Sequence, residues 1–212
     1  MIHILWCKID LTQDFFPYLK KIPKSLQNDI LRYRRTEDQW SKLLGKLLLV
    51  YGMKSLGYKE IDLNEIEYTV HNRPYLDEKP DFNISHSGTY VVCAFSNTQA
   101  IGVDIEEIKN IDLKDFKHIL SQKEWSNVIN AHNSLQQFYS YWTGKESLLK
   151  ADGRGITVEL DKVNIQNTHG TFENKEWFLQ EINFNPAYAA HIASTKEIEE
   201  IQITEIKINQ LL

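Results

Sequence analysis

Tyr90-Val-Val-Cys-Ala-Phe-Ser96 returns 98 residues later as Tyr188-Ala-Ala-His-Ile-Ala-Ser194. A second echo lies upstream of each copy: Trp40-Ser-Lys-Leu-Leu-Gly-Lys46 resembles Trp142-Thr-Gly-Lys-Glu146, 102 residues further on. Both echoes run helix, then strand, at nearly one spacing. That order predicts an α+β fold built as a pseudo-dimer of two similar α+β halves, residues 1–100 and residues 101–212. Chance likeness between amphipathic elements yields the same pattern, so the echoes alone leave both readings open.

Working outward from these runs, residues 2–9 read as a strand and residues 25–33 as a helix. Thr36-Glu-Asp-Gln39 has the form of a capping box, opening a helix through about Ser55. Within it Trp40, Leu43, Leu44, Leu47 and Leu48 recur at helical spacing, a core stripe, and Gly57 is placed to end it. Strands are expected at 66–70 and 82–84, with a turn around Asn72-Arg73-Pro74 between them. The runs at 90–96 and 101–106, joined by the polar link Asn97-Thr98-Gln99, suit a hairpin. Ser121-x-x-Glu124 and Ser134-x-x-Gln137 are further capping-box candidates, opening helices at 122–131 and 135–151, with Gly153 ending the second. Strands at 158–166, 171–182, 187–194 and 201–208 complete the chain.

Composition sets limits. With 42% hydrophobic residues and 11% aromatics, 212 residues can bury a substantial core. No apolar run approaches the ~20 residues of a membrane span. The first nine residues alternate rather than forming an export signal, and Cys7 and Cys93 both fall in apolar runs as buried thiols. A cytosolic setting is expected. Net charge is −5, unevenly spread: residues 1–60 hold 11 Lys and Arg against 6 Asp and Glu, the remainder 13 against 23. The acidic total argues against nucleic-acid binding, while a basic first quarter beside an acidic remainder suits an anionic ligand held near metal-binding carboxylates. Ordinary surface variation gives the same imbalance.

Three clusters carry chemistry. In Ile101-Gly-Val-Asp-Ile-Glu106, strand alternation puts Gly102, Asp104 and Glu106 on one face. The two carboxylates are roughly 7 Å apart at Cα, within reach of one hard cation; a solvated acidic strand end has the same spacing. In Trp142-Thr-Gly-Lys-Glu-Ser-Leu-Leu-Lys150, Trp142, Glu146 and Lys150 share a helix face. Glu146 is a candidate third oxygen ligand for Mg²⁺, and Lys145 and Lys150 are candidates to meet phosphate; a surface ion pair is the plain alternative. In Phe82-Asn-Ile-Ser-His-Ser-Gly88, hydroxyls, a histidine and a glycine at a strand exit suit phosphate contact, as does Arg73 in its turn.

Taken in order, Asn72-Arg-Pro74, the Ser85-His86 segment, Gly102-x-Asp104-x-Glu106 and Trp142-x-x-Lys145-Glu146-x-x-x-Lys150 resemble the 4'-phosphopantetheinyl transferases of the Sfp type. Ser121-x-x-Glu124 looks like a further element of that family. The resemblance implies two α+β halves with coenzyme A in the cleft between them, in a monomer. It implies transfer of the 4'-phosphopantetheine arm to a serine of an apo acyl or peptidyl carrier protein, with Mg²⁺ as cofactor. By matching position, Asp104, Glu106 and Glu146 would bind the metal. Arg73, Ser85, His86, Lys145 and Lys150 would meet the coenzyme, with Glu146 and Lys150 serving catalysis. Asn72-Arg73-Pro74 departs from the family's usual Gly-Lys-Pro. Lys24, Arg32, Arg34, Arg35 and Lys42 are all candidates for the coenzyme's 3'-phosphate. A Mg²⁺-dependent phosphodiesterase would use similar carboxylates, though the acidic charge and the Ser-His pair speak against it. A non-catalytic carrier-binding module is opposed by the intact acidic and lysine residues.

Overall fold

A computed structural model describes residues 1–212, apart from the side chain of Ile156. Strand β1 (Ile2–Lys8) is followed by helices α1 (Phe15–Leu19), α2 (Lys24–Leu31) and α3 (Thr36–Ser55). Short strands β2 (Glu67–Tyr68) and β3 (Pro74–Tyr75) lead into β4 (Asp81–Ser87) and β5 (Tyr90–Ser96). The chain continues as β6 (Ile101–Glu107), α4 (Gln122–Asn130), α5 (Ser134–Asp152), β7 (Asn164–Gln166), β8 (His169–Phe172), β9 (Lys175–Glu181), β10 (Tyr188–Ser194) and β11 (Ile201–Glu205).

Helix ends follow local chemistry, with two changes from expectation. Ser121 and Glu124 form the reciprocal capping box that opens α4. Thr36 does not cap α3: it is already helical, Arg35 takes the cap position, and the Gln39 side-chain amide donates to the Tyr33 carbonyl instead. Asn133, one residue before the expected serine, caps α5 by accepting from the Gln136 N–H at 3.1 Å. An asparagine side chain there reaches the orphan N–H as serine would. Gly153, in the left-handed conformation, ends α5.

The strands form two main sheets, ordered β11-β1-β5-β4 and β6-β10-β9-β8-β7, with β2 and β3 paired separately. The order β1-β5-β4 in the first sheet recurs as β6-β10-β9 in the second, and the echoed segments β5 and β10 are the buried central strands. The expected β5–β6 hairpin does not form. Both edges of β5 are filled, by β1 and β4, so β6 crosses to the second sheet and pairs antiparallel with β10. The tight turn is instead Gly88-Thr89 between β4 and β5, where Gly88 has φ +52°, a backbone conformation glycine adopts without steric penalty.

Apolar faces of the two sheets share one core: Ile2, Ile4, Val92, Ala94, Ile101, Val103, Ile105, Ala190 and Ile192. On the other face of the first sheet, Leu43, Leu44, Leu47 and Leu48 of α3 pack with Leu5, Cys7, Cys93 and Phe95. On the second, Leu148 and Leu149 of α5 pack with Trp177, Leu179 and Ala193. α5 also lies directly on β6. A Cβ at Gly102 would fall 2.1 Å from the Ser147 carbonyl oxygen and 2.3 Å from the Ala151 nitrogen, so only glycine permits this approach.

The sheets meet along a side-chain seam. Every second residue of β4 faces β6, and the N–H groups of Ile101, Val103, Ile105 and Glu107 donate to Asp81 Oδ2 (2.7 Å), Asn83 Oδ1 (2.9 Å), Ser85 Oγ (3.4 Å) and Ser87 Oγ (3.0 Å). These polar side chains take the place of a neighbouring strand's carbonyls, so the outer edge of β6 is satisfied without a backbone ladder.

Candidate active site

A cleft of about 440 Å³ opens beside this seam, lined from α3 by Ser41, Lys42, Gly45 and Lys46, and from β4 by Ile84, Ser85 and His86. Asp104 and Glu106 of β6 and Trp142, Glu146 and Lys150 of α5 form the facing wall. The close approach at Gly102 explains that wall. It sets α5 over the face of β6 that carries Asp104 and Glu106, and the four-residue spacing of Glu146 and Lys150 hangs both side chains above it.

Lys150 Nζ donates to Asp104 Oδ1 at 2.6 Å, to Ser85 Oγ at 3.0 Å and to the Val103 carbonyl at 3.3 Å. Ser85 Oγ donates to the same Asp104 oxygen at 2.9 Å. Ser87 Oγ donates to Glu106 Oε2 at 2.8 Å. Burial raises the Glu106 carboxyl above the usual glutamate range; the Ser87 hydrogen bond opposes this and the Asp104 charge adds to it. Burial likewise raises Glu146, reinforced by Asp104 and Glu106 and opposed by Lys150. On the basic side, burial lowers the Lys46 ammonium, with Lys42 adding to the effect. Burial, then Lys42 and Lys150, bring His86 down to about 4, so its imidazole is neutral near pH 7.

Asp104 Oδ2 is buried and makes no hydrogen bond. An ionised oxygen left so is costly, and a cation would relieve it. Among the described residues, no group of three His, Cys, Asp or Glu side chains is gathered closely enough to form a ready-made cage. Mg²⁺ does not require one: it usually keeps waters and substrate phosphate oxygens and takes only one or two carboxylates. Asp104, Glu106 and Glu146, hard oxygen donors along one wall, therefore fit Mg²⁺.

Seven of the eight residues singled out in the sequence lie in or beside the cleft, and one does not. Asp104, Glu106, Glu146, Lys150, Ser85 and His86 line it together. Arg73 sits in an adjoining depression of about 410 Å³ that shares Ile84 and Lys150 with the cleft. Its guanidinium is engaged, donating to Asp81 Oδ2 (2.7 Å), the Ile101 carbonyl (3.0 Å) and the Lys150 carbonyl (3.1 Å). Lys145 turns the opposite way. It is fully buried, paired with Glu124 at 2.8 Å and bonded to the Val163 and Leu160 carbonyls at 2.6 and 3.2 Å. One residue of helix is about 100° of rotation, so Lys145 cannot share the face of Glu146. Sequence reasoning missed Lys46, although its four-residue spacing from Lys42 places both on one helix face. Glu124, read from the sequence as a cap and a family element, also accepts from the Ile165 N–H at 2.9 Å. Of the candidates for the 3'-phosphate, Lys42 alone lines the cleft.

Two α+β layers meet at a seam beside a cleft with Lys42 and Lys46 on one wall and Asp104, Glu106, Glu146 and Lys150 on the other. The chain belongs to the 4'-phosphopantetheinyl transferase superfamily, whose pattern matches residues 100–204. Residues 10–98 match the 4'-phosphopantetheinyl transferase N-terminal pattern. The chain is 36% identical to the 4'-phosphopantetheinyl transferase Sfp of Bacillus subtilis (strain 168) over 141 residues, 64% of this chain and 62% of that protein. It is 31% identical to the transferase gsp of Aneurinibacillus migulanus over 169 residues, 76% of this chain and 70% of that protein. A putative 4'-phosphopantetheinyl transferase of Haemophilus influenzae is 34% identical over 73% of this chain and 69% of its own length. No helix is long and apolar enough to cross a membrane.

Proposed function

We propose that this protein transfers the 4'-phosphopantetheine arm of coenzyme A to a serine of an apo acyl or peptidyl carrier protein, releasing 3',5'-ADP, with Mg²⁺ as cofactor. The buried, unpartnered Asp104 Oδ2 beside Glu106, Glu146 and the Lys150 ammonium is the observation that carries the reading. The two sheets are read as halves of a pseudo-dimer, with coenzyme A in the cleft where they meet and no second copy of the chain required.

The nucleophile belongs to the carrier. Its serine oxygen bonds to the β-phosphorus of coenzyme A as the bond from that phosphorus to the bridging oxygen breaks, and the 3',5'-ADP portion leaves. Bound by Asp104, Glu106 and Glu146, Mg²⁺ would supply positive charge against the pyrophosphate. Glu146 would receive the serine proton, directly or through a water. Lys150 presents an ammonium to the leaving phosphate while its bond to Asp104 fixes its direction. The neutral His86 offers a hydrogen bond, and Lys42 and Lys46 offer charge to the coenzyme's remaining phosphates, while Ser85, whose proton goes to Asp104, would have to release that carboxylate to meet a phosphate. The adjoining depression at Arg73 extends the cleft for the rest of a long ligand.

Mixing the protein with Mg²⁺, coenzyme A and an apo carrier, then weighing the carrier, tests this. A gain of about 340 Da is expected, the mass of the arm added in such an electrostatically assisted phosphoryl transfer. Asp104→Ala is expected to abolish the gain. No gain on fatty-acid, polyketide and nonribosomal-peptide carriers alike, with no coenzyme A bound, would overturn the assignment.

A further inference from the structure

The seam between β4 and β6 treats its two serines differently from its other members. Asp81 and Asn83 accept N–H groups of β6 and touch neither cleft carboxylate. Ser85 and Ser87 each do two things. Ser85 Oγ accepts from the Ile105 N–H and donates to Asp104; Ser87 Oγ accepts from the Glu107 N–H at 3.0 Å and donates to Glu106 Oε2 at 2.8 Å. A hydroxyl has a single proton to give, so once Ser87 accepts the backbone N–H its proton is directed at the carboxylate. Asp104 has Lys150 to hold it as well; among the described residues no ammonium is bonded to Glu106. Ser87 is thus the hydrogen-bond donor that orients Glu106.

We infer that Ser87 is a positioning residue for the metal site: its hydroxyl, anchored on the β6 backbone, holds Glu106 in the orientation that binds the divalent cation. This rests on the metal reading above. The aligned carboxylate needs no reorientation when the cation arrives, and one oxygen remains free to ligate. Hydrogen-bond partners of metal-ligating carboxylates commonly change metal affinity by 10–100-fold when removed.

Two variants of equal shape isolate the hydroxyl. Ser87→Thr keeps it and Ser87→Val lacks it, and both are β-branched residues that strands accept. Mn²⁺ is titrated into each protein in the presence of saturating coenzyme A, and free Mn²⁺ is read by electron paramagnetic resonance. Coenzyme A binding is measured separately in EDTA by calorimetry. Ser87→Val is expected to weaken Mn²⁺ binding about tenfold or more, while Ser87→Thr stays within about twofold of wild type and coenzyme A binding in EDTA is unchanged in both. A purely structural serine would lower the melting temperature of Ser87→Val yet leave its Mn²⁺ affinity at the wild-type value, and that result overturns the inference alone. Wild-type protein that bound no Mn²⁺ would overturn the metal reading together with it.

Discussion

Replacing Gly102 by alanine adds one methyl group at the contact on which the site's geometry depends. The new Cβ would lie 2.1 Å from the Ser147 carbonyl oxygen, 2.3 Å from the Ala151 nitrogen and 2.9 Å from the Lys150 carbonyl carbon. All three are backbone atoms of α5, so no side chain can rotate away. Bringing the closest pair to an ordinary separation moves helix from strand by about 1 Å. Overpacking of this kind costs ~1–3 kcal/mol, and the rigid neighbours place Gly102→Ala at the top of that range. For a chain of this size that lowers the melting temperature by about 6–12 °C. The same shift carries Glu146 and Lys150 away from Asp104. A 1 Å misplacement of catalytic groups can cost about 10²-fold in rate, so transfer should fall by that order even where the variant is fully folded. Gly45→Ala is the control for stability: its Cβ would meet Ile84 Cγ2 at 3.1 Å, with Ile84 Cδ1 and Val91 Cγ1 at an ordinary 3.9 Å, all side-chain carbons able to yield. Urea denaturation and carrier-loading rates measure both effects. A Gly102→Ala protein within about 0.5 kcal/mol of wild type, the scatter of neutral substitutions, and equally active would refute the claim that this contact sets the site.

Two further outcomes follow from buried groups. Lys145→Met leaves Glu124 as an uncompensated charge in the core and should cost about 3–5 kcal/mol in denaturant unfolding; because Lys145 points away from the cleft, KM for coenzyme A should not change below the melting temperature. His191 is 9% exposed and burial brings its imidazole down to about 4 from 6.5, with Nδ1 2.8 Å from the Thr143 hydroxyl. The unfolded chain therefore takes up a proton below about pH 6.5 that the folded protein refuses until about pH 4, so stability falls as pH drops through that window. By pH 5 the loss is on the order of 2 kcal/mol, and His191→Asn should lack that share of the slope in denaturation curves at pH 7 and 5.

Each half of the carboxylate wall was legible from periodicity, while the meeting of the two halves was implied only by the family resemblance. Alternation in a strand put Gly102, Asp104 and Glu106 together, and four-residue spacing in a helix put Glu146 with Lys150. The same rules misplaced what they do not govern. Lys145 was grouped with its neighbours as a phosphate contact, yet rotation by one helical residue sends it to Glu124. The β5–β6 hairpin was expected from a polar link of suitable length. Local chemistry could not reveal that β5 already had two neighbours, a fact of the whole sheet. Arg73 reads as a phosphate contact in its turn, and only the fold brings the Lys150 and Ile101 carbonyls to its guanidinium.

The two sheets repeat one strand order, yet only one of the matching positions carries the carboxylates. With Ile2 set against Ile101, Leu5 and Cys7 of β1 stand where Asp104 and Glu106 stand in β6, and both are buried under α3. The outer edges of these two strands explain the difference. β1 is closed by the chain's own last strand, β11, paired in parallel from Ile201 to Glu205. A backbone ladder there brings its own carbonyls and leaves no role for polar side chains. β6 meets β4 instead, where side chains supply the acceptors, and serines that accept an N–H still have a proton to give to a carboxylate. The seam thus makes Asp104 and Glu106 tolerable beside a core, with Lys150 adding the counter-charge. Two sheets of matching strand order thus differ at one edge, sealed by backbone in the first and by side chains in the second, and the carboxylates stand on the strand with the side-chain edge.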